Sequence, residues 1–408
     1  MKIAIHTLGC KVNQCDTNAL IDVLVEHGHD AYSTHDFDQN ADVFIINTCT
    51  VTHVSDKKSR QMLRRAKRHN PNAMIAMCGC MAKKSEVADY VFDARNPDDF
   101  LNKLNIKPID SNPQMLKSKK TTRAFVKIQD GCDRFCSYCI VPHVRGRPKS
   151  RPLTEIIKEA NQLVADGIPE IVLTGIQVAS YGQDTGTCDL PDVIKEVTAI
   201  SGLQRLRLSS IDPWGVDGDF VSAVASPLVC GHFHLSLQSG CDTTLVMMNR
   251  RYSTSDYKNA AERLRHAKPN IALTTDVIVG FPGESDADFA ESLAFVKEMK
   301  FSNIHVFEYS PREGTPASTF PDQVPHSVKH ERGKIMRTLG NELQAEFLQS
   351  QVGKTLNVLF EKQKSFYVGN SENYCTVCVK SDTNLTGRIC KVKITSYEGD
   401  FLHGNTKG

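Results

Sequence analysis

AFVKIQDGCDRFCSYC, Ala124–Cys139, runs from a β-type segment into three cysteines, Cys132, Cys136 and Cys139, spaced Cys-x3-Cys-x2-Cys. Closely spaced soft thiols on one short loop suit an iron–sulfur cube, because several deprotonated sulfurs must reach a compact cluster together. Three thiolates would hold a 4Fe-4S cluster and leave one iron open to an outside ligand. A zinc reading needs a fourth Cys or His close by, and His143 is the only nearby candidate. The strand that leads into the loop is the first of six β-type runs, near Phe125–Gln129, Glu170–Gly175, Gln204–Ser209, His232–Gln238, Ala272–Gly280 and Asn303–Ser310. Helical patterns at Leu153–Asp166, Leu190–Ser201, Ser253–Ala267 and Ser285–Lys300 lie between them. Six βα units within residues 123–350 predict a central open, partial (β/α)6 barrel with its active site at the C-terminal ends of the strands.

Working back toward residue 1, three short β-type runs (Ile3–Thr7, Val43–Asn47, Ala73–Met77) alternate with helical patterns at Asp16–Gly28 and Ser55–His69. That alternation predicts an N-terminal doubly wound α/β domain over residues 1–110. A cysteine follows each run within a few residues: Cys10 in TLGC, Cys49 in NTCT and Cys80 in GCMA. Loops after the strands of an open parallel sheet gather at one edge, so these three thiols can converge. Cys78, two residues before Cys80, reads as core on an alternating strand rather than as a replacement ligand. Residues 111–122, polar and without a clean period, read as a linker. Beyond a helical stretch at Val328–Gln351, residues 353–408 break into short β-like runs, which predicts a small C-terminal all-β barrel. Cys241 reads as structural, and Cys375 and Cys378 form half of a zinc motif with no second half nearby.

Composition bounds the function. The 408 residues are 40% hydrophobic and 24% charged, close to globular averages, which excludes a mainly disordered, collagen-like or coiled-coil chain. No run approaches the roughly 18 apolar residues of a membrane span, and MKIAIHTLGC lacks the regions of a signal peptide, so the expectation is a cytoplasmic protein with no membrane partner. Fourteen cysteines are then metal ligands or buried thiols rather than a disulfide scaffold. The net charge of +2 favours neither nucleic acid nor an acidic substrate, so local clusters decide. Lys57–His69 carries seven positive charges and no acid at helical spacing, and Lys57, Arg60, Arg64 and Arg68 are candidate phosphate contacts, with a merely solvated face as the alternative. Arg145 heads a second cluster with Arg147, Lys149 and Arg151. Phe366, Tyr367 and Tyr374 are candidates for stacking on bases or for the core of the small barrel, which has a net charge of +3.

The loop GCDRFCSYC, with the aromatic Tyr138 before its last cysteine, resembles the radical S-adenosylmethionine superfamily. LTGIQ (Leu173–Gln177), LSLQSG (Leu235–Gly240) and TTDVIVGFPGE (Thr274–Glu284) follow it in matching order. The resemblance implies that the open iron chelates S-adenosylmethionine, with Tyr138, Gly175, Gln177, Gln238, Ser239 and Asp276 around the cofactor, and that electron transfer cleaves it to a 5′-deoxyadenosyl radical.

Adding Cys10, Cys49 and Cys80 before this domain and a basic β-domain after it, the whole layout resembles the methylthiotransferases. These carry a second 4Fe-4S cluster in the N-terminal domain and a C-terminal RNA-binding module called TRAM. The resemblance implies two clusters, two molecules of S-adenosylmethionine (one methylating a cluster sulfur, one making the radical), tRNA as partner, a reductant such as flavodoxin or ferredoxin, and a monomer. It assigns no catalytic side chain beyond the cluster ligands. HTLGCKVNQ (His6–Gln14) resembles the subgroup that modifies threonylcarbamoyladenosine at tRNA position 37; the isopentenyladenosine subgroup tends to carry a GCQMN-type string there and the ribosomal-protein aspartate subgroup a GCPKN-type string. A non-catalytic iron–sulfur redox protein or RNA-binding protein is the alternative from another class.

Overall fold

The computed structural model describes residues 1–35, 37, 40–81, 87–106, 121–362 and 366–406; most of the expected linker lies outside them. The N-terminal domain is one parallel sheet of β1 (Lys2–Thr7), β2 (Asp30–Ser33), β3 (Val43–Thr48), β4 (Met74–Gly79) and β5 (Tyr90–Val91), in the order β2-β1-β3-β4-β5. All six positions of β3 are buried, as a strand covered on both faces requires. On one face Leu20 and Leu24 of the helix Lys11–Glu26 pack on Ile3, Ile5, Val43 and Ile45; on the other, Met62, Leu63 and Ala66 of the helix His53–His69 pack on Ala4, Phe44, Ile46 and Ile75. The chain leaves β1 toward β2 on one side and resumes with β3 on the other, so the strand order reverses between β1 and β3. Open α/β sheets hold their ligands at that position.

The central domain contains β6 (Arg123–Lys127), the short antiparallel pair β7 (Gln129–Asp130) and β8 (Lys149–Ser150), then β9 (Glu170–Thr174), β10 (Arg205–Leu208), β11 (His232–His234), β12 (Ala272–Val279) and β13 (Asn303–Glu308). Strands β6, β9 and β10 pair in parallel, as do β11, β12 and β13. Single bridges at Leu206–Val229 and Ile211–Leu235 join the two sheets into the expected open six-stranded barrel. Its free edges are β6 and β13. At the first, Lys127 of β6 pairs with Asp16 of the N-terminal domain, and the Cys15 thiol approaches the Phe125 carbonyl at 3.7 Å. At the second, Met336 and Leu343 of the helix His326–Gln349 join Ile304 in the core.

β14 (Thr355–Lys362), β15 (Tyr367–Ser371), β16 (Thr376–Val379), β17 (Ile389–Glu398) and β18 (Phe401–Thr406) close into a barrel in the order β14-β15-β16-β18-β17. Its interior is filled by alternate residues, Leu356, Val358 and Phe360 on β14 with Val392, Ile394 and Leu402 opposite. The barrel is latched to the central domain by two arginines. Arg205 donates to the Asn357 and Asn370 carbonyls, Arg207 to those of Ser371 and Glu372, and both are ion-paired with the buried carboxylate of Glu170.

Candidate active site

Cys10, Cys49 and Cys80 stand after β1, β3 and β4, at the edge where the strand order reverses. Their loops are tied together by side chains far apart in sequence. The Asn13 amide donates to the carbonyls of Leu8 (2.7 Å) and Thr48 (2.9 Å), joining the loops after β1 and β3. Ser59 brackets the backbone of Cys49, and the Thr48 hydroxyl donates to the Cys78 carbonyl at 2.6 Å while accepting from Met81 N–H. Gly9 runs against Cys49 so closely that a Cβ there would lie 2.7 Å from the Cys49 Cβ and 2.9 Å from its Sγ; its φ of +96° also calls for glycine. Burial pushes the thiols of Cys49 and Cys80 up, and the Arg145 guanidinium draws Cys80 back toward the thiolate. Cys78 is 1% exposed and shares with Ala76 the face of β4 that packs under the helix Lys11–Glu26, as expected of an alternating strand.

Arg145 corrects the sequence reading, which placed it on an RNA-binding surface. It is 7% exposed, bound by both Asp130 oxygens at 2.9 Å, by Asn13 at 2.5 Å and by Asp16 at 3.1 Å. Its charge serves the junction between the two cysteine sites, not a phosphate.

Cys132, Cys136 and Cys139 lie on a loop braced by Cys132 N–H to the Gly146 carbonyl (3.0 Å), the Ser137 hydroxyl to the Met247 carbonyl (2.8 Å) and the Asn249 amide to the Phe135 carbonyl (2.9 Å). Burial raises the thiols of Cys132 and Cys139, the latter to about 12. The compensating cation is Arg250, 3.3 Å from the Cys136 sulfur and ion-paired with Asp212. Asp212 also accepts from Gln177 and from Trp214 Nε1, and Arg134 lies 4.1 Å over the Trp214 ring. Sequence reasoning missed Asp212, Trp214 and Arg250. Their only trace was a polar cluster in IDPW and MNR just beyond strand or helix ends.

Of the residues expected around S-adenosylmethionine, Tyr138 lies on the cysteine loop, Gly175 and Gln177 follow β9, Gln238 and Ser239 follow β11, and Asp276 lies within β12. Tyr138 packs edge-on to Phe281 with centroids 6.4 Å apart. Gly175 is pressed against Gln129, where a Cβ would meet the Gln129 carbonyl at 2.9 Å, and Gln177 N–H donates to the Gln129 side chain. Gln238 takes the left-handed φ of +69°, costly for a non-glycine residue. Ser239 is buried, its hydroxyl accepting from Cys241 N–H. Asp276 faces His234 at 3.3 Å.

Level with Asp276 and just below it, histidines of β11 and β13 line the barrel interior. The Thr274 hydroxyl contacts His232 Nε2 (3.1 Å) and His234 Nδ1 (3.0 Å), and the His234 and His305 rings stack at 5.8 Å. Tyr374, at the tip of the β15–β16 turn, stacks on His232 at 4.7 Å and lies over Arg207 and Arg123. The aromatic proposed from sequence as a base stacker or barrel core is therefore the floor of the central barrel. Tyr367 packs on the small barrel's own core and Phe366 is exposed.

Both cysteine sets suit iron–sulfur clusters. Among the described residues, the only three Cys, His, Asp or Glu side chains whose ligand atoms all lie within 4.8 Å are His234, Asp276 and His305. Within each set the thiols lie close enough to act on one another, Cys80 with Cys10 and Cys49, and Cys139 with Cys136 and Cys132.

On the outer surface, Lys57, Arg60, Arg64 and Arg68 are all exposed on the helix His53–His69 and line one groove of about 790 Å³. Asp56 of the same helix is turned to Arg312 of the central domain, which leaves the groove basic. Of the second cluster, Arg147 and Lys149 are exposed and Arg151 is paired with Glu159.

Comparison with known proteins agrees with this layout. Residues 2–100 match the family described as Uncharacterized protein family UPF0004, and residues 126–296 the Radical SAM superfamily. The chain is 38% identical to the threonylcarbamoyladenosine tRNA methylthiotransferase MtaB of Bacillus subtilis, covering 98% of this chain and 96% of that one. It is 36% identical to the Thermotoga maritima protein of the same name (97% and 94%), and 34% identical to the tRNA-2-methylthio-N(6)-dimethylallyladenosine synthase of Pelotomaculum thermopropionicum (99% and 97%). In fold it resembles the radical S-adenosylmethionine methyltransferase TsrM of Kitasatospora setae, with a TM-score of 0.54 at 11% identity over 89% of this chain and 79% of that one. The two cysteine sites, the partial barrel between them and this near full-length identity make the chain a member of the radical S-adenosylmethionine tRNA methylthiotransferases, enzymes that use two 4Fe-4S clusters and S-adenosylmethionine.

Proposed function

We propose that this chain adds a methylthio group to carbon 2 of threonylcarbamoyladenosine at tRNA position 37. The observation that carries the reading is the physical junction of the two cysteine sites: Arg145 lies beside Cys80, while the next residue, Gly146, receives the Cys132 N–H. In this reading a reacting carbon is held in the barrel between the two sites. The aromatic C–H bond is neither acidic nor next to a carbonyl, so the bound clusters and S-adenosylmethionine supply radical and sulfur chemistry that side chains lack.

The protein's own part is positioning. Asn13, Ser59 and Thr48 fix the N-terminal thiols; Arg250, anchored on Asp212, offsets the charge that Cys136 acquires on binding metal; the apolar set of Tyr138, Phe281 and Met248 keeps water from the loop. In this reading Cys10, Cys49 and Cys80 hold one cluster and Cys132, Cys136 and Cys139 the other. Tyr138, Gly175, Gln177, Gln238, Ser239 and Asp276 surround S-adenosylmethionine, with Ser239 and Gly175 acting through backbone. Lys57, Arg60, Arg64 and Arg68 contact tRNA phosphates. The chain acts as a cytoplasmic monomer supplied with electrons by a flavodoxin or ferredoxin.

Two kinds of support set the substrate. The Lys11-Val12-Asn13 string beside Cys10 is of the threonylcarbamoyl type, and the 38% identical relative is named for that nucleoside. The test is competition between anticodon stem-loops carrying threonylcarbamoyl- or isopentenyladenosine, read by mass analysis of the nucleosides. The reading requires preferential methylthiolation of the first; preference for the second would move the chain to the sister specificity, and product on neither would refute an RNA substrate.

A further inference from the structure

Successive residues of a strand point to opposite faces, and on β11, β12 and β13 the two faces differ in chemistry. Phe233, Leu273, Val277 and Ile304 pack into the core of the central domain. The other face, toward the barrel interior, carries His232 and His234 on β11, Thr274 and Asp276 on β12, and His305 on β13. The register sets these side by side, His234 level with Thr274 and Asp276 level with His305.

Three of these side chains make a ligand set. The ligand atoms of His234, Asp276 and His305 all lie within 4.8 Å of one another. His234 Nε2 is 3.3 Å from Asp276 Oδ2, beyond the roughly 2.7–3.2 Å of an ordinary N–H···O hydrogen bond. That is the spacing of two ligands on one ion, since bonds of about 2.1 Å at roughly 90–109° put neighbouring ligand atoms roughly 3.0–3.4 Å apart. The Thr274 hydroxyl meets the other nitrogen of His234, Nδ1, at 3.0 Å, which turns Nε2 toward Asp276. Metal-binding imidazoles are commonly fixed in this way through their second nitrogen. His305 completes the set. Its ring stacks on that of His234 with centroids 5.8 Å apart, and its nitrogens have no hydrogen-bond or ion-pair partner among the described residues. Because His305 is exposed, a turn about its side-chain bonds brings a nitrogen to the other two ligands without disturbing the core.

We propose that His234, Asp276 and His305 form a mononuclear site for a divalent first-row transition ion, separate from both cysteine sets. Two imidazoles and one carboxylate suit zinc, iron(II), cobalt(II) or manganese(II), whereas magnesium and calcium call for oxygen ligands throughout. Three protein ligands leave at least one position of the ion open toward the barrel interior, for water or for an oxygen of a molecule held there.

The test uses Mn2+ alone as the probe, because its electron paramagnetic resonance signal in solution falls as it binds and because thiolates prefer softer metals. The reconstituted holoenzyme is washed with a chelator to clear loosely held iron, and iron is measured on every sample. The wild type should bind about one Mn2+ per chain. His305→Gln and His234→Gln should each weaken that binding by more than about tenfold, and Thr274→Val, which removes only the group that orients His234, by about tenfold. All three should keep about eight irons, as two 4Fe-4S clusters require. His305 is exposed, so its variant keeps the test valid if His234→Gln loses its fold. Asp276 is left unchanged because it also stands among the residues expected around S-adenosylmethionine. His330→Gln should leave Mn2+ affinity at the wild-type value: this outer histidine is also 3.3 Å from a carboxylate, that of Glu308, but no third ligand completes the pair. A wild type that binds no Mn2+, or binds it with the same constant as His305→Gln, overturns the inference. Equal weakening in His330→Gln also overturns it, since the ion would then be held by scattered surface histidines.

Discussion

The two cysteine triads solve one chemical problem in opposite ways. Cys132, Cys136 and Cys139 occupy eight consecutive residues, so their spacing is set within one loop, which Gly146, Met247 and Asn249 then hold in place. Cys10, Cys49 and Cys80 are brought together only by the strand order of the sheet, and stay together through Asn13, Ser59, Thr48 and the visiting Arg145. A local site fails when its ligands are changed. A topological site fails also when distant residues that hold the loops in register are changed.

The largest expected effect is at the local site. Replacing Cys132, Cys136 and Cys139 together by Ala should abolish S-adenosylmethionine cleavage and remove about half of the iron, four of about eight atoms per chain for two 4Fe-4S clusters. Full iron content in that variant would contradict the assignment.

Next comes Arg145→Met, which leaves Asp130 and Asp16 buried beside a missing partner. The expected cost is about 3 kcal/mol, seen in urea titration, because an uncompensated buried charge remains. Iron should be lost mainly from the N-terminal set, and Arg145→Lys should restore little, since one ammonium cannot meet Asp130, Asp16 and Asn13 at once. Equal loss from both cysteine sets would break the contrast drawn between them.

Gly9→Ala should act similarly but less. The added Cβ meets Cys49 in a backbone conformation unsuited to alanine, for a cost of about 2 kcal/mol, with N-terminal iron reduced and cleavage of S-adenosylmethionine retained. The smallest effect belongs to the outer surface. Changing any one of Lys57, Arg60, Arg64 and Arg68 to Gln should weaken stem-loop binding only a few-fold and lower the slope of log affinity against log salt by roughly 0.7–0.9 for each phosphate no longer neutralised. An unchanged slope in the quadruple variant would detach this groove from RNA.

The same contrast explains what could be read from sequence. The local triad was legible in its spacing. The topological one was legible because each cysteine sits at an equivalent place after a strand, a pattern that survives without coordinates. The strands of both domains were legible where an apolar run marks them, as Val43–Ile46 does in β3; β2 (Asp30–Ser33) and the two-residue β5 carry too little apolar surface to stand out. What was hidden is the supporting layer. Asn13 meets Arg145 across 132 positions, and Asp212 meets Arg250 across 38, so neither pairing leaves a local pattern. Arg145 was misplaced for the same reason. A run of basic residues looks alike whether it faces phosphate or a buried pair of aspartates, and only the fold brings Asp16 and Asp130 to it. Tyr374 was likewise indistinguishable from a barrel-core or base-stacking aromatic until its turn was seen to plug the neighbouring domain.

The central claim is that one chain divides its chemistry between these two sites, and the most direct measurement is on the topological one. In a Cys10, Cys49, Cys80→Ala triple variant, iron, S-adenosylmethionine cleavage and methylthiolated nucleoside are measured on the same preparation. The account predicts that about half of the iron is lost, that cleavage continues, and that methylthiolated product is absent. Unchanged iron, or methylthiolated product at the wild-type level, would contradict it.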